Sequence, residues 1–295
     1  MRMRLPILLI ATAAMLTTSA TSCAKVYGSP ARPAPAVPES PPGVAAAAFD
    51  GLPARIAQAT EAAAADGAII SVAVLDRVTN QMLSNGNDQL VAIASVAKLF
   101  IADDLLAQGS SGPDPALASP DRPALDSMLR SSDDDAAETF WAARGGETII
   151  DDVVGRYGLR STTAPGDGQW WNTMSSVSDL VHYYDALLDG SGGLSRERSQ
   201  VIINDLAGST ATGADGYPQR FGIPDGLYAE PVAVKQGWMC CMDGGSWMHL
   251  STGIVGADRR YVMVIESLQP SDDATARATI TQAVKTMFPS GRIRA

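Results

Sequence analysis

The chain has 295 residues, 46% of them hydrophobic, with 22 Lys and Arg against 32 Asp and Glu and a net charge of −10. That length fits one large domain or two small ones with a real core. The acidic balance argues against nucleic acid as a partner, because phosphate binding needs a basic face. In chain order, Arg2 and Arg4 open a basic start and Leu5 to Leu16 form an apolar run too short to span a bilayer comfortably. Small residues from Thr17 to Ser22 follow, so residues 1–22 read as an export signal. Residues 23–48 read as a Pro/Ala-rich tether, with six prolines between Pro30 and Pro42 and little to build a core. Such a segment favours extended polyproline II.

The small residues before Cys23 resemble the lipobox of bacterial lipoproteins, with Ala20 where leucine is usual. The resemblance implies that Cys23 carries lipid and that the chain is exported and anchored to the outer face of the cytoplasmic membrane. A plain secretory signal followed by a chance cysteine is the alternative. Cys240 and Cys241 are adjacent, and either a strained vicinal disulfide or two free buried thiols fits them.

A folded domain is expected over residues 49–295. Leu52 to Ala65 reads as a helix stopped at Gly67, Ala68 to Leu75 as a strand, and Gln81 to Ser84 as its hairpin partner. Residues 95–107 carry a helical apolar face. Further helices are expected at 122–130, 134–144, 147–157, 175–188 and 196–206, with Gly158 and Gly190 as C-caps. Strands return at Val232 to Lys235, Trp247 to Val255 and Tyr261 to Leu268, and a helix covers Asp272 to Met287. Strands at both ends and helices between imply an α+β fold: one antiparallel sheet built from both chain ends, flanked by the terminal helices, with an inserted helical lobe over about 100–210.

The chain has four lysines, and Lys98 lies one helical turn after Ser95. A serine hydroxyl is a poor nucleophile until a neighbouring base takes its proton, and a desolvated lysine can be that base. Ser-x-x-Lys by itself says little, since Ser22 and Lys25 share the spacing; a capping serine with a solvated lysine gives the same pattern. Ser132-Asp133-Asp134 follows 37 residues after Ser95 and opens a helix, a place where Ser and Asp also serve as ordinary caps. Lys235-Gln236-Gly237 stands at the end of a strand.

In that order the three elements resemble the penicillin-recognising serine enzymes, the class A β-lactamases and low-molecular-weight penicillin-binding proteins, from about Gly67 to Met287. The resemblance implies that Ser95 is the acylated nucleophile, Lys98 its base, and Ser132 the proton relay to the leaving group. Lys235 would steer a substrate carboxylate, with Asp134, Gln236, Gly237 and Trp238 as its neighbours in the substrate site. The oxyanion hole would use the backbone N–H groups of Ser95 and Trp238. The implied partner is a small-molecule or peptidoglycan-derived acyl substrate, with no cofactor.

Three departures bear on activity. The Glu-x-x-Leu-Asn loop of class A enzymes, whose glutamate activates the deacylating water, has no counterpart: between Gly158 and Thr173 the acid is Asp167, with Asn172 five residues later. Asp134 replaces an asparagine; ionised, it accepts hydrogen bonds only, and it can pair with Lys98 and hold it charged. Gln236 replaces a small hydroxyl residue, and Trp238 can crowd the site. Trp170-Trp171 either lines a groove or anchors its loop to the core, the anchor being favoured. His182 and His249, distant from one another, make no metal signal. The readings that follow are a lipid-anchored serine acyl-enzyme and poor β-lactamase, an idle envelope binding protein that keeps the fold, and an esterase.

Overall fold

A computed structural model describes residues 49–107, 121–242 and 244–293, and the expectations for residues 1–48 lie outside them. Helix α1 (Leu52–Ala65) buries Leu52, Ile56, Ala59 and Ala63, a stripe at helical spacing. After Gly67 the chain enters β1 (Ile69–Asp76), which turns back as β2 (Gln81–Ser84). Near the other end come β5 (Val232–Met242), β6 (Ser246–Val255) and β7 (Tyr261–Gln269). They close one antiparallel sheet in the order β2-β1-β7-β6-β5. β1 lies against β7 in the register Val72 to Ile265, so the two ends of the chain share the centre of the sheet. The α+β fold expected from the strand distribution is the fold observed.

β1 and β7 read as continuous apolar runs because the sheet is covered on both faces. Ile70, Val72, Val74, Met263 and Ile265 pack on the side of α1, the short α8 (Ile223–Gly226) and α9 (Asp273–Met287). The Asp272 carboxylate caps α9 by accepting from the Thr275 N–H at 3.0 Å. Ala73, Leu75, Val262 and Val264 face the second core, built with the helices between the strands. These are α2 (Lys98–Ala107), α3 (Arg122–Arg130), α4 (Asp134–Ala143), α5 (Thr148–Tyr157), α6 (Val177–Asp189) and α7 (Arg196–Ala207).

Four local differences from the sequence reading matter. Ser95 lies in a single 3-10 turn, Ala94–Ala97, and the α-helix proper begins at Lys98. Two short strands, β3 (Val91–Ala92) and β4 (Met174–Ser175), pair in front of that turn, and β4 takes the residue that the reading gave to the start of a helix at 175. β5 runs to Met242, so Lys235-Gln236-Gly237 lies inside the strand and not at its end. Gly237 punctuates nothing; it is there because a Cβ would sit 2.7 Å from the Ile93 carbonyl oxygen. Cys240 and Cys241 form a vicinal disulfide, which decides between the two open readings of the pair.

Candidate functional site

The 3-10 turn carrying Ser95 is held from both sides. The Ile93 N–H donates to the Thr173 carbonyl at 2.9 Å, and the Val96 N–H to the Ile93 carbonyl at 3.0 Å. Ala94 adopts φ 47°, the left-handed region that a non-glycine residue rarely enters. Ser132 does the same with φ 56°. Such backbone costs on the order of 1–3 kcal/mol each and persists where the surroundings over-determine it. One strained residue thus precedes Ser95, and the other is Ser132 itself.

At Ser132 the chain turns from α3 into α4. The Asp133 carboxylate caps α4, accepting from the Ala136 N–H at 3.1 Å and the Ser127 hydroxyl at 2.7 Å; the Ser127 bond, above all, holds its pKa below the usual range. With Asp133 locked as the cap, Ser132 points inward and Asp134 begins the helix at the rim.

Three elements then converge. Lys98 Nζ lies 3.0 Å from Ser95 Oγ, 2.6 Å from the Ser132 carbonyl oxygen and 3.3 Å from Ser132 Oγ. Lys235 Nζ reaches the same Ser132 Oγ at 2.7 Å from β5. Lys98 is 0% and Lys235 1% exposed. Burial pushes the Lys98 amine down, opposed by the charge of Asp134, which pairs with it. Burial pushes Lys235 down further, with the neighbouring Lys98 charge adding to the effect. A hydroxyl between two buried amines can accept from one and donate to the other once the latter is neutral.

The sixteen-residue loop from Gly158 to Thr173 forms the wall beside Lys98. Its turn is closed by Asp167, which accepts from the Gln169 N–H at 3.0 Å and the Asn172 amide at 2.7 Å; the Gln169 bond, above all, holds that carboxyl below its usual pKa. Asp167 is exposed and serves its own turn. The loop residue that meets Lys98 is Trp170, whose ring centroid lies 4.7 Å from Nζ. Trp170 is buried in the core and packs edge-on to Trp171 at 5.1 Å. The anchoring role is therefore present, and a contact with the lysine comes with it.

Gln236, expected beside the substrate, turns its side chain away from Lys235. Its amide donates to the Phe221 carbonyl at 2.7 Å and the Gln219 carbonyl at 3.0 Å, and the side chain is 2% exposed. Strand alternation explains this: with β5 continuing past residue 235, Lys235 and Gln236 point to opposite faces. Trp238 stands on the Gln236 side and stacks on Tyr217 at 4.5 Å and 8°. Its indole packs on the segment after α7.

That segment, residues 208–222, closes the remaining side of the site and was missed as a functional element. The Ala214 N–H donates to the Ser131 carbonyl at 2.7 Å, next to Ser132. Tyr217 is pinned by His249 at 2.7 Å and by Asp273. The segment presents the exposed Asp215, whose charge acts on both Lys98 and Lys235. Its Gly-Ala-Asp-Gly composition signals a turn, but nothing local says where that turn lands. His249 is buried, with a pKa pushed down to about 4 chiefly by burial.

No protein-family model matches the chain. Among solved structures, a β-lactamase from Chitinophaga pinensis superposes with TM-score 0.63 at 14% identity, covering 81% of this chain and 100% of that one. A class A β-lactamase from Bacteroides cellulosilyticus gives TM-score 0.63 at 14% identity over 81% and 98%. The β-lactamase from Streptomyces albus G gives 0.60 at 18% over 81% and 99%. At these identities the likeness establishes the class A β-lactamase fold. In sequence, the proteins named "Putative lipoprotein LppW" from Mycobacterium tuberculosis and Mycobacterium bovis are 66% identical over 259 residues, 88% of this chain and 81% of theirs. At that identity and coverage, the chain belongs to the LppW family and carries it on a β-lactamase fold.

Proposed function

We propose that this chain is a cell-envelope serine acyl-enzyme in which Ser95 is acylated and the acyl group leaves slowly. The observation that carries the reading is the Lys98 amine, stripped of water and 3.0 Å from Ser95 Oγ. Neutral Lys98 takes the Ser95 proton as Oγ attacks the acyl carbonyl. Ser132 Oγ, between Lys98 and Lys235, passes a proton on to the departing oxygen or nitrogen. One ester or amide bond breaks, one Ser95 ester forms, and the leaving group departs protonated. Backbone N–H groups of Ser95 and Trp238 are the proposed oxyanion donors, typically worth a few kcal/mol each.

Slow release follows from the wall opposite. Deacylation needs a second base to position water. The loop offers Lys98 the indole of Trp170, while Asp167 is tied into its own turn. Losing a positioned general base typically slows a step by about 10²–10⁴. The test is intact-protein mass after incubation with a penicillin and with an activated ester. A long-lived adduct in the parent that is absent in Ser95→Ala is the expected result. Rapid steady-state penicillin hydrolysis that depends on Ser95 refutes the slow step.

The Lys98–Asp134 ion pair favours a second reading, in which a charged Lys98 leaves the groove to bind without turnover. Silence toward both reagents selects it. The lipoprotein name of the relatives, with the small residues before Cys23, supports export and lipid anchoring at Cys23 on the outer face of the cytoplasmic membrane. Cys23→Ser should move the protein out of the membrane fraction.

A further inference from the structure

The groups expected to receive a substrate carboxylate already have partners within the fold. Lys235 is buried with its amine on Ser132 Oγ at 2.7 Å and on the Gln236 carbonyl at 3.3 Å. The Gln236 amide faces away, donating to Gln219 and Phe221. Arg220, on the segment beside the site, pairs with Asp225 at 3.0 Å.

Negative charge stands beside the reacting serine. Asp134 reaches Lys98 with one oxygen while its side chain remains 67% exposed. Lys98 also touches Ser95 Oγ, so the Asp134 carboxylate and the reacting hydroxyl share one ammonium between them. The charge of Asp215, on the segment after α7, bears on the same two lysines. A carboxylate accepts hydrogen bonds and donates none. It therefore cannot hold an acylamide carbonyl, but it can hold an N–H donor, best of all a charged one.

Resting on the acyl-enzyme reading, we propose that the acyl donor carries a protonated amine next to its scissile carbonyl, recognised by Asp134, in place of the N-acylated, carboxylate-bearing substrate of penicillin chemistry. When Lys98 is neutral and ready to take the Ser95 proton, Asp134 has lost its cation, and the substrate ammonium replaces it. The substrate cation thereby neutralises the Asp134 charge that otherwise holds Lys98 protonated, which couples binding to activation of the nucleophile. The bonds made and broken are those of the proposed reaction, with the ammonium unchanged throughout.

The test compares the p-nitrophenyl esters of alanine and of N-acetylalanine at pH 6, read as the rate of mass gain on Ser95. The expected result is acylation about tenfold faster with the free amine, which corresponds to about 1.4 kcal/mol. Asp134→Asn should collapse that ratio, and unchanged thermal unfolding of the variant shows that the fold is intact. Equal rates, or a preference for the N-acetyl ester, with the adduct on Ser95 overturn this inference and leave the acyl-enzyme standing. No Ser95 adduct from either ester overturns both.

Discussion

Replacing Asp134 with asparagine isolates the ion pair that governs Lys98. Two unit charges 4 Å apart interact by about 1 kcal/mol in water and about 4 kcal/mol at an effective dielectric of 20. The lysine side is fully buried, but the carboxylate is 67% exposed, so solvent screens the pair and the value falls toward the lower end, about 1–2 kcal/mol. That energy favours the charged amine. Removing it raises the neutral-to-charged ratio of Lys98 by roughly 5- to 30-fold. The sign is fixed: burial lowers the Lys98 pKa, Asp134 opposes that, and the variant loses the opposition. The rising limb of the acylation profile should move to lower pH, and the rate with an uncharged activated ester at pH 7 should rise by up to that factor. Lys98 keeps Ser95 Oγ and the Ser132 carbonyl as partners, so its position is retained. The helix loses one acid from its first turn, at a cost of about 0.3–1 kcal/mol. Stopped-flow release of p-nitrophenol from its acetate ester, with Ser95→Ala as background, measures the effect. A limb that stays in place, or a rate that falls, refutes the idea that Asp134 holds Lys98 charged.

Other outcomes follow from groups outside the nucleophile. Glu266 is buried on β7, meets the Gln89 amide at 3.3 Å, and has its pKa raised from 4.5 to about 7, chiefly by burial. Between those values the folded protein holds a proton that the unfolded chain has released, so stability falls as pH rises through that window. Glu266→Gln should flatten that slope and be more stable than the parent at pH 8 by up to about 3 kcal/mol, at 1.36 kcal/mol per pH unit; parallel melting curves at pH 5 and 8 decide it. Trp170→Ala removes a buried ring and should cost about 3–5 kcal/mol, lowering the melting temperature by roughly 10 °C; a loss under about 2 °C means the ring does not anchor its loop. The Cys240–Cys241 bridge closes almost no loop, so the double serine variant should melt within about 2 °C of the parent, and a larger loss shows that the bridge shapes the β5–β6 turn.

Local chemistry was legible wherever the cause is local. The β-branched runs of β1, β6 and β7 announce strands, and Ser132-Asp133-Asp134 announces the start of α4, which Asp133 caps. Ser95 and Lys98 share a face because they are one turn apart, whereas the pairing of Asp134 with Lys98 is expected only through the family resemblance that puts both in one site. The α+β arrangement followed from strands at both ends, because sheet edges must be paired. What the sequence left open depends on long-range placement. Gly237 looked like the end of a strand until the Ile93 carbonyl passing over it gave another reason for a glycine. Only β5 running past that glycine tells that Gln236 faces away from Lys235, since a period of two reverses every neighbour. Ser132 meeting both lysines joins three segments whose spacing in the chain says nothing about distance. Trp170, rather than an acid, lies against Lys98 because a loop with few regular hydrogen bonds takes its path from the core beneath it, and that core exists only once the chain has folded.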